Sequence, residues 1–173
     1  MTREQGFTLI DVTMASLVTG LLMAIAIPTV ETARQRYMLT AAAREVAADL
    51  RSARLTALTT NRTFQVRFNC PSPRDYRVIE VVGVPAIDND PNRCSLAAYP
   101  YPPPNPGVAP SQDGPLRTLP GQLVFGQLQN IQIDRAGRVT PVGVGALPAV
   151  IGVASPHDTR NVSITVAGRV QSP

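Results

Sequence analysis

The sequence predicts an α+β fold: one long N-terminal helix, part membrane-spanning and part stalk, packed on a small antiparallel β-sheet head. Three observations carry that expectation. Across residues 7–60 the helix breakers are confined to Gly20 and Pro28, so a helix can run almost uninterrupted there. From residue 61 the hydrophobic period changes to two, the spacing of half-buried strands. Sixteen of the seventeen prolines and ten of the twelve glycines lie in this second part, as turns and loops require. At 173 residues the chain is one ordinary domain with an appendage, which argues against a two-domain enzyme.

The front segment is apolar over residues 7–30, with Asp11 its one charge. The nineteen uncharged residues 12–30, rising about 1.5 Å each, cover a hydrocarbon core of about 30 Å. A secretory signal peptide fits poorly: the run is too long, holds a carboxylate near its start, and ends in Pro28 and Glu31 instead of a small-residue cleavage site. An ionisable group in a spanning segment costs about 2.5–3.5 kcal/mol on insertion scales, and so marks function. Arg3 is offset by Glu4, and Arg34 and Arg36 stand at the other end, so flanking charge gives only weak support for a cytoplasmic N-terminus.

The run Gly6-Phe7-Thr8-Leu9-Ile10-Asp11 resembles the cleavage and methylation motif of type IV prepilins. The resemblance implies a leader of residues 1–6 cut after Gly6 by prepilin peptidase, and Phe7 as an N-methylated mature terminus. Asp11 then takes the place of the family's acidic fifth residue, where Glu is usual. In such proteins that carboxylate pairs with the terminal amine of a neighbouring subunit and sets the stagger between helices. Opposite charges attract strongly in a low dielectric. Pro28 matches a proline that bends or melts the stalk in the family, and equally reads as a mark of the membrane exit, because proline removes one backbone hydrogen bond.

Residues 31–60 continue as an amphipathic stalk. Leu39, Ala43, Val46, Leu50, Ala53 and Ala57 recur at spacings of four and three, the pattern of one dry face. A helix over residues 7–60 would be about 80 Å long. Next, Thr63-Phe64-Gln65-Val66-Arg67-Phe68 alternates, and residues 76–82 read as its hairpin partner across Cys70-Pro71-Ser72-Pro73. Residues 85–120 are expected to form an irregular, proline-rich surface loop. Further strands are expected at 122–125, 131–134, 138–142, 150–153, 162–166 and 169–170, completing a head of residues 61–173.

Cys70 and Cys94 are the two cysteines, and both follow the apolar segment. Outside the cytoplasm they would oxidise to a disulfide worth about 3–4 kcal/mol on the chain-entropy model; two unpaired buried thiols are the alternative. Asp88-Asn89-Asp90-Pro91-Asn92 opens like a calcium loop, but Arg93 stands where glycine is needed and no distal Glu follows, so an Asx turn is expected and no metal site. The chain holds one histidine, His157, read as a loop residue, and carries neither a Gly-x-Ser-x-Gly nor a phosphate-loop motif. No enzymatic activity and no cofactor are therefore expected.

All sixteen basic residues are Arg, and the formal net charge is +4. Arg135, Arg138, Arg160 and Arg169 are candidates for an anion-binding patch, although solvated arginines at turns are the commoner outcome. The turn Ile133-Asp134-Arg135-Ala136-Gly137-Arg138 and the strand pair running from Asn161 through Gly168-Arg169-Val170 resemble the FimT/GspH-type minor pseudopilins of type IV pilus and type II secretion machines. That resemblance implies a structural subunit at the bacterial inner membrane, single-pass, with its head in the periplasm and other pilin subunits as partners. It also implies an alternative, DNA capture through a C-terminal Gly-Arg-x-Arg element. Here Gly168-Arg169-Val170-Gln171 keeps the first arginine and lacks the second. Arg138 and Arg169 are the residues expected to contact double-stranded DNA if the head binds it.

Overall fold

The computed structural model describes residues 8–105 and 107–172. The chain divides after Tyr37 into two units, with one helix, α1 (Leu9–Thr60, 52 residues), contributing to both. The leader cut at Gly6 and the methylation at Phe7 lie outside the described residues. In the first unit, residues 9–27, 29 and 30 of the helix are exposed, from Leu9 at 85 % to Val30 at 65 %, and mostly apolar. It is the one helix among the described residues long and apolar enough to cross a membrane, with mean hydropathy 2.0 over its best window. The helix continues through Pro28 without ending there.

The second unit holds the core. On α1, Leu39, Ala43, Val46, Leu50, Ala53 and Ala57 are all buried, joined by Ala42 and Ala47. Alanines dominate this stripe because a small side chain lets a helix backbone come close to a sheet, while Leu39 and Leu50 supply apolar volume. The helix ends where Asn61 adopts φ 54° and the Arg62 N–H returns to the Ala57 carbonyl at 3.2 Å. This is the left-handed cap that asparagine tolerates.

Nine strands follow: β1 (Thr63–Phe68), β2 (Asp75–Val81), β3 (Leu116–Thr118), β4 (Val124–Phe125), β5 (Ile131–Ile133), β6 (Val139–Pro141), β7 (Ala149–Ala154), β8 (Thr159–Ile164) and β9 (Val170–Gln171). They form two sheets, ordered β3-β2-β1-β5-β6 and β4-β7-β8-β9, with every pairing antiparallel. The single sheet of the sequence reading is thus divided. The inward residues of both sheets, among them Phe64, Val66, Ile131, Ile133, Ile151, Val153, Val162 and Ile164, join the helix stripe in one cluster. Phe68, Tyr76 and Phe125 pack ring to ring, with centroids 5.1–5.9 Å apart.

The stretch expected to be irregular, 85–120, contains a short helix α2 (Pro85–Asp88), a 3-10 turn (Pro91–Cys94) and strand β3. Pro85 and Pro91 each occupy the start of their turn, where the missing N–H costs nothing. Strand ends also shift: β8 begins at Thr159 and stops at Ile164, because Thr165 already belongs to the next turn. The tip of the β1–β2 hairpin carries Cys70, bonded to Cys94 with the Cα atoms 5.6 Å apart.

Candidate functional site

Three places in the described structure hold the residues singled out by the sequence. The first is the start of α1. Thr8 donates to one carboxylate oxygen of Asp11 twice, from its backbone N–H at 3.1 Å and from its hydroxyl at 2.6 Å. The Asp11 N–H returns to the Thr8 hydroxyl at 3.4 Å. This reciprocal arrangement is a capping box, in which a carboxylate three residues into the helix satisfies the cap residue's own N–H. The sequence signal, Thr8 followed three places later by Asp11, was available and went unread. Asp11 therefore has a local role besides any charge it offers a neighbour.

The second place is the strap of residues 82–115, held over β2 by polar groups that are almost wholly buried. Arg93 and Arg77 are both 0 % exposed. Arg93 ion-pairs with Asp113, stacks on the Tyr99 ring at 4.6 Å and donates to the Glu80 carbonyl at 2.8 Å. Arg77 donates to the Gly114 and Arg93 carbonyls. Glu80 accepts from the Ser111 and Gln112 N–H groups and pairs with Arg62. Burial pushes the Asp113 carboxyl above its ordinary range, while the Glu80 N–H and the Arg93 guanidinium pull it back. Asp90 makes an Asx turn to the Asn92 N–H at 2.8 Å, and Asp88 caps the Val82 and Gly83 N–H groups. A groove of about 640 Å³ runs between α1 and this strap, lined in part by Asp49, Tyr101, Pro103, Gln112 and Arg117. Its carboxylates are engaged: Asp49 by Tyr76 and Arg117, Asp113 by Arg93.

The third place is where the two Gly-Arg turns meet. Ile133-Asp134-Arg135-Ala136-Gly137-Arg138-Val139 and Ile164-Thr165-Val166-Ala167-Gly168-Arg169-Val170 share Ile, Ala, Gly, Arg and Val at five of seven positions. The structure gives both the same turn. Gly137 and Gly168 each have φ 72°, and each donates to the carbonyl three residues back, that of Asp134 at 2.9 Å and that of Thr165 at 2.8 Å. In both, the side-chain oxygen of the opening residue accepts from the arginine N–H: Asp134 from Arg138 at 2.8 Å, Thr165 from Arg169 at 3.2 Å. The repeat could have been found by comparing the chain with itself, and sequence reasoning missed it.

The turns touch across α1. Arg54 donates through Nε to the Gly137 carbonyl at 3.1 Å, and a Cβ built on Gly168 would lie 2.5 Å from that Nε and 2.7 Å from the Gly137 oxygen. One turn of helix earlier, Arg51 donates to the Val170 carbonyl at 3.3 Å. Arg138 and Arg169 are thereby brought to one region, both exposed. They differ in one respect. Arg138 pairs with Asp134 at 3.3 Å, whereas the equivalent residue beside Arg169 is the uncharged Thr165. The Arg138 N–H, foremost among its donors, holds the Asp134 carboxyl below the ordinary range. Arg135 shares the first turn; Arg160 stands at the opposite end of β8 and pairs with Asp158. His157 is exposed in the β7–β8 turn.

Among the described residues no group of three or more His, Cys, Asp or Glu side chains is placed to hold a metal ion. No family model matches the sequence, and no curated protein matches it either. Two crystal structures of the type IV minor pilin FimU from Pseudomonas aeruginosa resemble the chain. One has TM-score 0.48, 17% identity, and coverage of 80% of this chain and 90% of its own. The other has TM-score 0.45, 17% identity, and coverage of 78% and 92%.

Proposed function

We propose that the chain is a structural subunit of a bacterial envelope filament, a minor pilin or pseudopilin of a type IV pilus or type II secretion machine. One observation carries this reading: α1 buries one face of residues 39–57 in its own head and leaves residues 9–27, 29 and 30 mostly apolar and uncovered. So much apolar helix surface needs lipid or other apolar helices around it. A single pass in the inner membrane supplies the first before assembly, and the helices of neighbouring subunits supply the second afterwards. The disulfide-bonded head accords with a periplasmic location. Asp11, close to the start of the apolar run, is the group that would pair with the Phe7 amine of a neighbour once prepilin peptidase has cut after Gly6.

Intact-mass measurement on the membrane-extracted protein tests the reading. The mature chain should begin at Phe7 and carry one added methyl group, and Gly6→Leu should retain all six leader residues. A mature chain that keeps Met1 would overturn the proposal. Thr8→Ala separates the two roles of Asp11, because it removes the cap and leaves the charge. Asp11→Ala should be inserted and cleaved but fail to assemble, Asp11→Glu should assemble at least as well as wild type, and Thr8→Ala should assemble nearly normally.

A second reading, capture of duplex DNA by the head, is favoured by the meeting of the two Gly-Arg turns. Arg138 and Arg169 then contact phosphates, and binding weakens steeply as salt rises because each contact releases counterions.

A further inference from the structure

The outer end of the apolar run on α1 carries two side chains that neither the head nor the filament reading has used. Within the run, the hydroxyls of Thr13, Ser16 and Thr19 donate to the carbonyls of Ile10, Val12 and Ala15, and at its end Thr29 and Thr32 donate to the carbonyls of Ala26 and Thr29. These five hydroxyls are satisfied inside the helix, so the segment can lie in hydrocarbon up to its last turn. Arg34 and Tyr37 follow Val30 by four and seven residues, which puts the three on one helix face. All three are exposed, Tyr37 at 76 % against 52 % for Tyr101, the other exposed aromatic side chain among the described residues. Glu31, the acid of this turn, accepts from Gln35 at 3.3 Å, and no carboxylate among the described residues is ion-paired to Arg34.

Spacing along the helix axis decides what these side chains meet. At about 1.5 Å per residue, the Arg34 and Tyr37 backbones stand about 6 Å and about 10 Å beyond Val30. The headgroup layer on each side of a hydrocarbon core is about 5–7 Å deep. Helical side chains lean toward the N-terminus, here back toward the membrane, so both tips fall within that layer. A guanidinium matches a phosphate through paired N–H donors, and a tyrosine, apolar in its ring and polar at its hydroxyl, suits the membrane–water boundary. We infer that Arg34 and Tyr37 form a collar that binds phospholipid headgroups of the outer leaflet of the inner membrane, Arg34 taking the phosphate of an anionic lipid and Tyr37 setting its ring beside it. The occupant is anionic because the phosphate of a zwitterionic lipid is already balanced by its own ammonium. The inference rests on reading residues 9–30 as a membrane span and adds the partner at the outer end of that span. The first unit ends at Tyr37, and Leu39 is the first buried residue among those described. The collar therefore fixes the depth of the waiting subunit at the last turn before its head, and entry into a filament requires Arg34 to release its phosphate.

The chain has no tryptophan, so Tyr37→Trp and Leu21→Trp each supply a single reporter, one in the collar and one in the middle of the apolar run. The full chain carrying either is reconstituted into vesicles of phosphatidylcholine and phosphatidylglycerol, and its fluorescence is quenched by lipids brominated close to the headgroup or close to the chain end. Tyr37→Trp should be quenched best by the shallow bromine and Leu21→Trp by the deep one. Brominated phosphatidylglycerol should compete for the neighbourhood of Tyr37→Trp about fivefold better than brominated phosphatidylcholine, the scale of one basic residue at an anionic surface. Adding Arg34→Gln should abolish that preference, and adding Arg34→Lys should keep most of it. Deep quenching of Leu21→Trp, together with water-like emission and no quenching of Tyr37→Trp, would overturn the collar and leave the span standing. A Tyr37→Trp reporter quenched equally by the two lipids and indifferent to Arg34→Gln would overturn the assignment of Arg34 to an anionic headgroup. No quenching of either reporter would overturn the span as well.

Discussion

At the scale of single residues, the glycines of the two turns show how far backbone geometry constrains this head. Gly168 and Gly143 both sit at positive φ, 72° and 80°, so alanine at either incurs the left-handed penalty of about 1 kcal/mol. Their surroundings differ. Nothing lies within 4 Å of a Cβ on Gly143, whereas one on Gly168 meets the Gly137 carbonyl oxygen at 2.7 Å and the Arg54 side chain at 2.5 Å. A side chain such as Arg54 can move aside, but a backbone oxygen in a paired turn cannot without separating the turns. Gly168→Ala should therefore cost about 3 kcal/mol and Gly143→Ala about 1 kcal/mol, read as the difference in chemical unfolding midpoints. Equal costs would mean that the two turns do not hold each other as tightly as their contacts imply.

At the scale of elements, the strap of residues 82–115 shows what a sequence discloses and what it withholds. The α1 stripe was legible because a periodicity of three and four reports directly on one buried face, and all six of its predicted members are buried. Strand β1 was legible because Phe64, Val66 and Phe68 alternate with polar neighbours. The strap was not. Its anchors are Arg77, Arg93, Glu80 and Asp113, residue types that ordinarily face water, and no local pattern says that a partner distant in sequence will satisfy them. The strap's stability is testable through those anchors. Arg93→Met leaves Asp113 buried without its counter-charge and should cost about 3–5 kcal/mol; adding Asp113→Asn, which preserves an acceptor for the Glu80 N–H, should return much of it. Replacing both Cys70 and Cys94 by Ala should cost about 3 kcal/mol, because the bridge spans a sequence separation of 24. Chemical denaturation of the three variants checks the ordering, and an Arg93→Met cost no greater than that of an exposed arginine would contradict the buried pair.

At the scale of the whole molecule, the titrating groups set limits on the pH range in which the fold is stable, and the alkaline limit falls chiefly to Tyr76, with Tyr99, raised by its hydrogen bond to Asp90, adding to it. Tyr76 lies in the aromatic cluster and is 3 % exposed, its hydroxyl donating to Asp49 at 2.7 Å. Burial first, then that hydrogen bond and the negative charge of Asp49, raise its pKa far above the ordinary value of 10.0. In the unfolded chain the phenol loses its proton near that ordinary value, while in the folded chain it keeps it. The folded state then binds more protons, and stability falls as pH rises past about 10. On the acid side the signs reverse for two carboxylates, while Asp113, pushed up by burial, acts against them. Asp90 and Asp134 are held below the ordinary 3.8, chiefly by the Asn92 and Arg138 N–H groups respectively, so their contribution is complete above that value and is lost as pH falls through their folded pKa values. Tyr76→Phe separates the two limbs. It should cost about 1 kcal/mol at neutral pH for the lost hydrogen bond, flatten the decline above pH 10, and leave the acid limb where it was. Melting temperatures of wild type and Tyr76→Phe, measured from pH 3 to pH 11, give the comparison, and an alkaline decline that persists unchanged in Tyr76→Phe would assign that limit to another group.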